Sequence, residues 1–124
     1  MPRSSRIVIP GAPHHVVQRG NRRQPIFFSD ADRSRYVDWL AEGCQRFGTT
    51  CLAWCLMDNH VHLILVPSTV DGLRGPIASA STRLSQRINL MQRTSGHLFQ
   101  GRYASYAMDD AHLMAVYHAA HPRG

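Results

Sequence analysis

The stretch from Thr50 to Pro67 leaves this chain few folds to adopt. Thr50 to Met57 is mostly apolar and rich in strand formers, Asp58-Asn59 is a turn pair, and His60 to Val66 runs back to Pro67. We read Thr50 to Met57 as a central strand and His60 to Val66 as its antiparallel partner. A second strand candidate, His14 to Gln18, follows Pro13 and ends in the turn signal Arg19-Gly20-Asn21. Between them a helix begins at Ser29 or Asp30, both good N-caps, and ends at Gly48. Its apolar positions Tyr36, Val37, Leu40, Ala41, Cys44 and Phe47 recur at three- and four-residue steps and define one buried face. A second helix spans Leu73 to Thr94, with Pro76 tolerated near its start, Leu84, Ile88 and Met91 on its buried side, and Gly96 as C-cap. Phe99 to Met108 is extended, and Asp109-Asp110 open a last helix that stops near Pro122.

The order β-α-β-β-α-β-α predicts an α+β fold, a ferredoxin-like split βαβ antiparallel sheet with helices on one face and an added C-terminal helix. Residues 1–124 form a single domain on this reading. Charge then narrows the partner. Fourteen basic against eight acidic residues give a net charge of +6, and every basic residue is arginine. A domain of this balance meets a polyanion, with nucleic acid first, and arginine's planar fork suits phosphates and base edges. Codon usage in a GC-rich genome is the competing source of the arginines. No segment approaches the roughly 18–20 apolar residues that span a bilayer, and no apolar run follows the basic N-terminus, so the expected location is cytoplasmic. Three cysteines, an odd number, argue against a disulfide framework.

The sharpest chemical signal is His60-Val61-His62 on the returning strand. Residues two apart on a strand share a face at roughly 6.5 Å, so both imidazoles can converge on one metal ion while Val61 points to the core. Taken alone, the pattern also fits accidental surface chemistry. Cys51 and Cys55 raise the possibility of a zinc site with the two histidines, but on one strand they stand roughly 13 Å apart, too far to share a tetrahedral ion. They are expected to be core residues. His14 and His15 could approach such an ion from a neighbouring strand but are expected in surface or strand-pairing roles, and His97, His112 and His118 have no evident partner.

The run from Leu56 to Leu63 resembles the HUH motif (histidine, hydrophobic residue, histidine) of the REP-associated and insertion-sequence single-tyrosine transposases. The likeness continues along the chain. Pro10 to Val16 with Gln18 to Gln24 resembles that family's opening strand and turn, Phe28 to Tyr36 its first helix, and Gly96 to Tyr103 the entry to its last strand. The resemblance implies an enzyme that nicks and rejoins single-stranded or hairpin DNA. His60 and His62 would hold a divalent cation, Mg2+ or Mn2+, against the scissile phosphate. A tyrosine would attack it, leaving a 5′-phosphotyrosine and a free 3′-OH.

The tail departs from the family pattern of tyrosine, three residues, then asparagine-proline, whose asparagine is the third metal ligand. Here Tyr117 lies one helical turn before His121-Pro122, so Tyr117 is the candidate nucleophile and His121 the candidate third ligand. The stretch from Tyr103 to Tyr117 is also shorter than the family's. A gap-free alignment of 113–116 moves the nucleophile position onto Ala119 and leaves an inactive DNA-binding remnant. A phosphodiesterase using water as nucleophile is a third reading. Arg19, Arg22, Arg23, Arg83, Arg87 and Arg102 are the candidate DNA contacts. Tyr36, Trp39 and Phe28 are expected to pack against the sheet, and the sequence is compatible with a monomer or a homodimer.

Overall fold

The computed structural model describes residues 7–112. Its elements are β1 (His14–Arg19), α1 (Asp30–Phe47), β2 (Thr50–Leu56), β3 (His60–Val66), α2 (Arg74–Gln92) and β4 (Ala104–Ala107), with a 3-10 turn at Asn21–Arg23. The strands lie in the order β2-β3-β1-β4 and every neighbouring pair is antiparallel. This is the expected split βαβ sheet. β2 is an edge strand, however, and the central positions belong to β3 and β1. Its apolar run misled because Leu52 and Trp54 are largely exposed there. Residues 110–112 are helical, and the remainder of the expected C-terminal helix, with Tyr117, Ala119 and His121, lies outside the described residues. Among the described residues no helix is long and apolar enough to cross a membrane.

Alternation sorts the sheet into two faces. His14, Val16 and Gln18 on β1 are buried, and Val16 joins Val61, Leu63 and Leu65 of β3 in the core beneath the two helices. The next residues along each strand, His15, Val17, Arg19, His60 and His62, therefore point to the opposite face. Helix α1 starts where its sequence says it must. Ser29 is extended and its side chain accepts from the Asp32 amide at 3.2 Å, while Gly48 closes the helix in the left-handed region with φ 67°. Tyr36, Leu40 and Cys44 supply the buried stripe, but Ala41 is exposed and Gly43 takes its place. The reason is the crossing with α2: a Cβ at Gly43 would come within 2.8 Å of the Pro76 Cα.

Helix α2 ends earlier than predicted, on Arg93 with φ 56° rather than on Gly96. Asn89 closes this end, accepting from the Thr94 amide and hydroxyl and donating to the Gly96 carbonyl. Met91 is consequently exposed, whereas Leu84 and Ile88 are buried as expected. The predicted strand Phe99 to Met108 is also broken. Phe99 makes an isolated bridge to Gly20, Gly101 turns the chain in the left-handed region at φ 56°, and only Ala104–Ala107 joins the sheet. Trp39 packs at the core margin as expected, but Phe28 is half exposed.

Tyr36 is fully buried, edge-on to Phe27 at 5.6 Å, yet its hydroxyl has no hydrogen-bond partner among the described residues. Burial, and then the nearby thiols of Cys51 and Cys44, raise its pKa. An unpaired buried hydroxyl costs more than it returns, so Tyr36→Phe is expected to leave stability unchanged or raise it by about 1 kcal/mol. Urea unfolding reads this directly, and a loss above about 2 kcal/mol would show that the hydroxyl is paired.

Candidate active site

Strand register assembles the site on the face away from the helices. His60 pairs with Arg19, His62 with Val17, and Ile64 with His15 across β1 and β3. β2 adds Cys55 opposite His62 and Ala53 opposite Ile64, and β4 adds Tyr106 opposite His15. A bulge between Cys51 and Ala53 shifts the register by one residue, so Cys51 packs against the core while Cys55 faces the histidines. The two cysteines therefore do not share a face, and a site built on both is excluded. Burial raises the pKa of the Cys51 thiol and pushes Cys44 up to about 12, which makes both inert core groups. After β4 the chain turns over the open face, where Met108 packs on Ala53 and Ile64.

The His60 and His62 rings lie 4.8 Å apart, at 76° to one another. Each has its Nδ1 engaged. That of His60 is 2.8 Å from Asn59 Oδ1, and that of His62 is 3.1 Å from His15 Nε2. His15 stacks on His62 at 5.3 Å, and His112 meets His15 edge-on at 6.1 Å. His15 thus approaches the pair from the neighbouring strand, the less expected of its two readings, while the place of His112 was not given by the sequence because the return of the chain after β4 creates it. His14, their neighbour in sequence, is structural: its Nδ1 lies 2.8 Å from the Ala12 carbonyl and its Nε2 accepts from the Ile9 amide.

Burial holds His60 and His62 below the ordinary imidazole value. Arg19 adds to this at His60, and His60, His15 and Arg19 add to it at His62. A divalent cation requires neutral imidazoles with a free ring nitrogen. His60 offers Nε2 with its Nδ1 on the Asn59 oxygen, and His62 does the same when its Nδ1 donates to His15, so the pair fits as part of a ligand set. Among the described residues no three His, Cys, Asp or Glu side chains are arranged to hold an ion. Candidate ligand His121 is outside them.

The same shifts predict acid sensitivity. His14, His15, His60 and His62 all titrate below 6.5, mainly through burial. The unfolded chain therefore binds more protons than the folded one just below that value. Stability is fully present above it and is lost as pH falls toward the depressed native values. The melting temperature should fall between about pH 7.5 and about pH 5, and a flat profile would contradict the assignment.

Four of the six candidate arginines gather near the histidines. Arg19, Arg23, Asn59, Gln100 and His60 line a cleft of about 570 Å³. Arg19 and Arg102 share an adjoining depression of about 280 Å³ with Val17 and Tyr106. Arg22 belongs to the same exposed turn as Arg23, and both adopt left-handed backbone at φ 55° and 61°. The other two sit in the helical layer within ion pairs. Arg83 reaches Glu42 at 2.9 Å and Arg87 reaches buried Asp32 at 2.8 Å.

Residues 10–118 match the family model described as Transposase IS200 like. The chain belongs to the IS200-like transposase family. Solved structures of the same fold include a REP-associated tyrosine transposase bound to a REP hairpin. It is 15% identical with a TM-score of 0.71, and the match covers 97% of this chain and 68% of that one. A proposed transposase from Deinococcus radiodurans is also 15% identical, with a TM-score of 0.65 and coverage of 96% and 93%. No match was found among curated proteins. Membership in this transposase family brings a role in DNA transposition.

Proposed function

We propose that this chain nicks and rejoins single-stranded, hairpin-bearing DNA through a covalent 5′-phosphotyrosine. The observation that carries the reading is the placing of His60 beside His62, each with Nδ1 occupied, on an open face bordered by Arg19. His60 and His62, with His121 as third ligand, would hold a Mg2+ or Mn2+ ion, which would supply Lewis-acid polarisation of the scissile phosphate. Tyr117 is the proposed nucleophile. Its oxygen bonds to phosphorus as the P–O3′ bond breaks, and the proton it loses is balanced by one gained at the leaving 3′ oxygen. The phosphodiester energy stays in the tyrosyl ester, so a second 3′-OH can attack and rejoin the strand. Arg19, Arg22, Arg23 and Arg102 are the proposed backbone contacts, and binding through them falls steeply with salt. Arg83 and Arg87, tied into ion pairs, are less suited to that part.

The likeness in fold to a transposase bound to a REP hairpin supports hairpin DNA as the substrate class. A second reading rests on the tail: if Ala119 occupies the nucleophile position, the chain is a hairpin-binding remnant without chemistry. Oligonucleotides labelled at either end and carrying the flanking hairpins of the gene separate the two. The proposal expects Mn2+-dependent cleavage with a free 3′-OH on one product and the other product retained on protein. Salt-sensitive binding without cleavage at any metal concentration supports the remnant.

A further inference from the structure

We infer that Asn59 is a positioning residue that fixes the tautomer of His60 and fastens the arginine turn to the histidine strand. The inference deepens the proposed function and, in its metal-binding half, rests on it. The Asn59 side chain is used at both ends: Nδ2 donates to the Arg23 carbonyl at 3.2 Å and Oδ1 lies 2.8 Å from His60 Nδ1. Those two contacts decide one another. The Arg23 carbonyl can only accept, so it holds the amide with its NH2 toward the turn and its oxygen toward the imidazole. An oxygen at that place can only accept in turn, so the proton of neutral His60 sits on Nδ1 and the lone pair on Nε2. A flipped amide would set oxygen against the Arg23 carbonyl and lose the bond.

The backbone of Asn59 completes the attachment, its carbonyl accepting from the Gly20 amide at 2.7 Å. Gly20 is packed so closely that an added Cβ would lie 2.3 Å from the Gln24 carbonyl oxygen and 3.2 Å from that of Asn59. From Gly20 the chain enters Arg22 and Arg23, whose left-handed backbone is rarely adopted by residues with side chains and persists only where neighbours hold it. The Asn21 amide, bound to Leu98, and the Asn59 amide supply that hold from two sides. One side chain thus sets the ligand edge of His60 and the placement of Arg23, which lines the same cleft.

The test uses the full chain and its Asn59→Ala and Asn59→Asp variants. Imidazole nitrogen resonances of the metal-free protein, recorded with the histidines neutral, report the His60 tautomer, and calorimetry with Mn2+ reports ligation. Wild type should show a proton on Nδ1. Asn59→Ala should mix the tautomers and weaken Mn2+ binding roughly 10- to 100-fold. Asn59→Asp keeps the acceptor and should restore the Nδ1 tautomer, while speeding amide exchange in the 20–24 turn because the bond to Arg23 is gone. A merely structural asparagine would lower the melting temperature and leave the tautomer alone. An Nε2-protonated His60 in wild type, or an unchanged tautomer in Asn59→Ala, overturns the inference. A tautomer that follows Asn59 in a chain that binds no Mn2+ upholds the positioning role and overturns the metal-dependent function instead.

Discussion

His60→Ala and His62→Ala are each expected to slow metal-dependent nicking by about a thousandfold, the loss of about 4 kcal/mol of stabilisation at the phosphate. Both side chains are half-buried on the open face and neither belongs to the core cluster, so the fold should survive their removal. Hairpin affinity should change little, since the proposed backbone contacts are the arginines. Single-turnover cleavage at saturating protein isolates the chemical step. Metal-dependent nicking that persists within about tenfold in either variant would show that the ion, if used, is held elsewhere.

Arg87→Ala is expected to remove about 3–5 kcal/mol of folding stability. Its partner Asp32 is fully buried at the first turn of α1, where it also accepts from the Phe28 amide at 2.7 Å. Burial alone would raise the Asp32 pKa, but the bond to Arg87, the Phe28 amide, the charge of Arg87 and the bond to Ser29 together hold it below its ordinary value. Without the guanidinium, a carboxylate is left in the interior between two helices. Arg83→Ala provides the contrast, because its pair with Glu42 is exposed on both sides and is worth no more than about 1 kcal/mol. Denaturant unfolding of the two variants checks the ranking. A loss below about 1 kcal/mol at Arg87, joined to weaker DNA binding, would instead return Arg87 to the DNA-contact set.

Local chemistry made much of this architecture readable. The Ser29 cap, the Gly48 stop and the alternation through His60-Val61-His62 each depend on a few consecutive residues, and each appears where the sequence placed it. Features set by distant partners were not readable. Nothing near Gly96 shows that Asn89 will close α2 three residues earlier, and nothing in an apolar 50–57 run says that its outer edge stays unpaired. The same holds at the site. His60 and His62 were legible as a pair, but the stack of His15 on His62 requires β1 to lie beside β3 in one particular register. The bond from Asn59 to Arg23 joins segments 36 residues apart, and the Asp32–Arg87 pair joins segments 55 apart. The candidate nucleophile Tyr117 and third ligand His121 were read from the spacing before Pro122 and lie outside the described residues.

Covalent chemistry at Tyr117 leaves a mark on the protein itself. The most direct measurement is mass spectrometry of the protein after incubation with hairpin-bearing single-stranded oligonucleotide and Mn2+, followed by denaturation and digestion. A nucleotide attached through its 5′ phosphate to the peptide containing Tyr117 is expected, absent in Tyr117→Phe and in His60→Ala. An oligonucleotide that binds and is recovered intact, with no modified tyrosine, would contradict it.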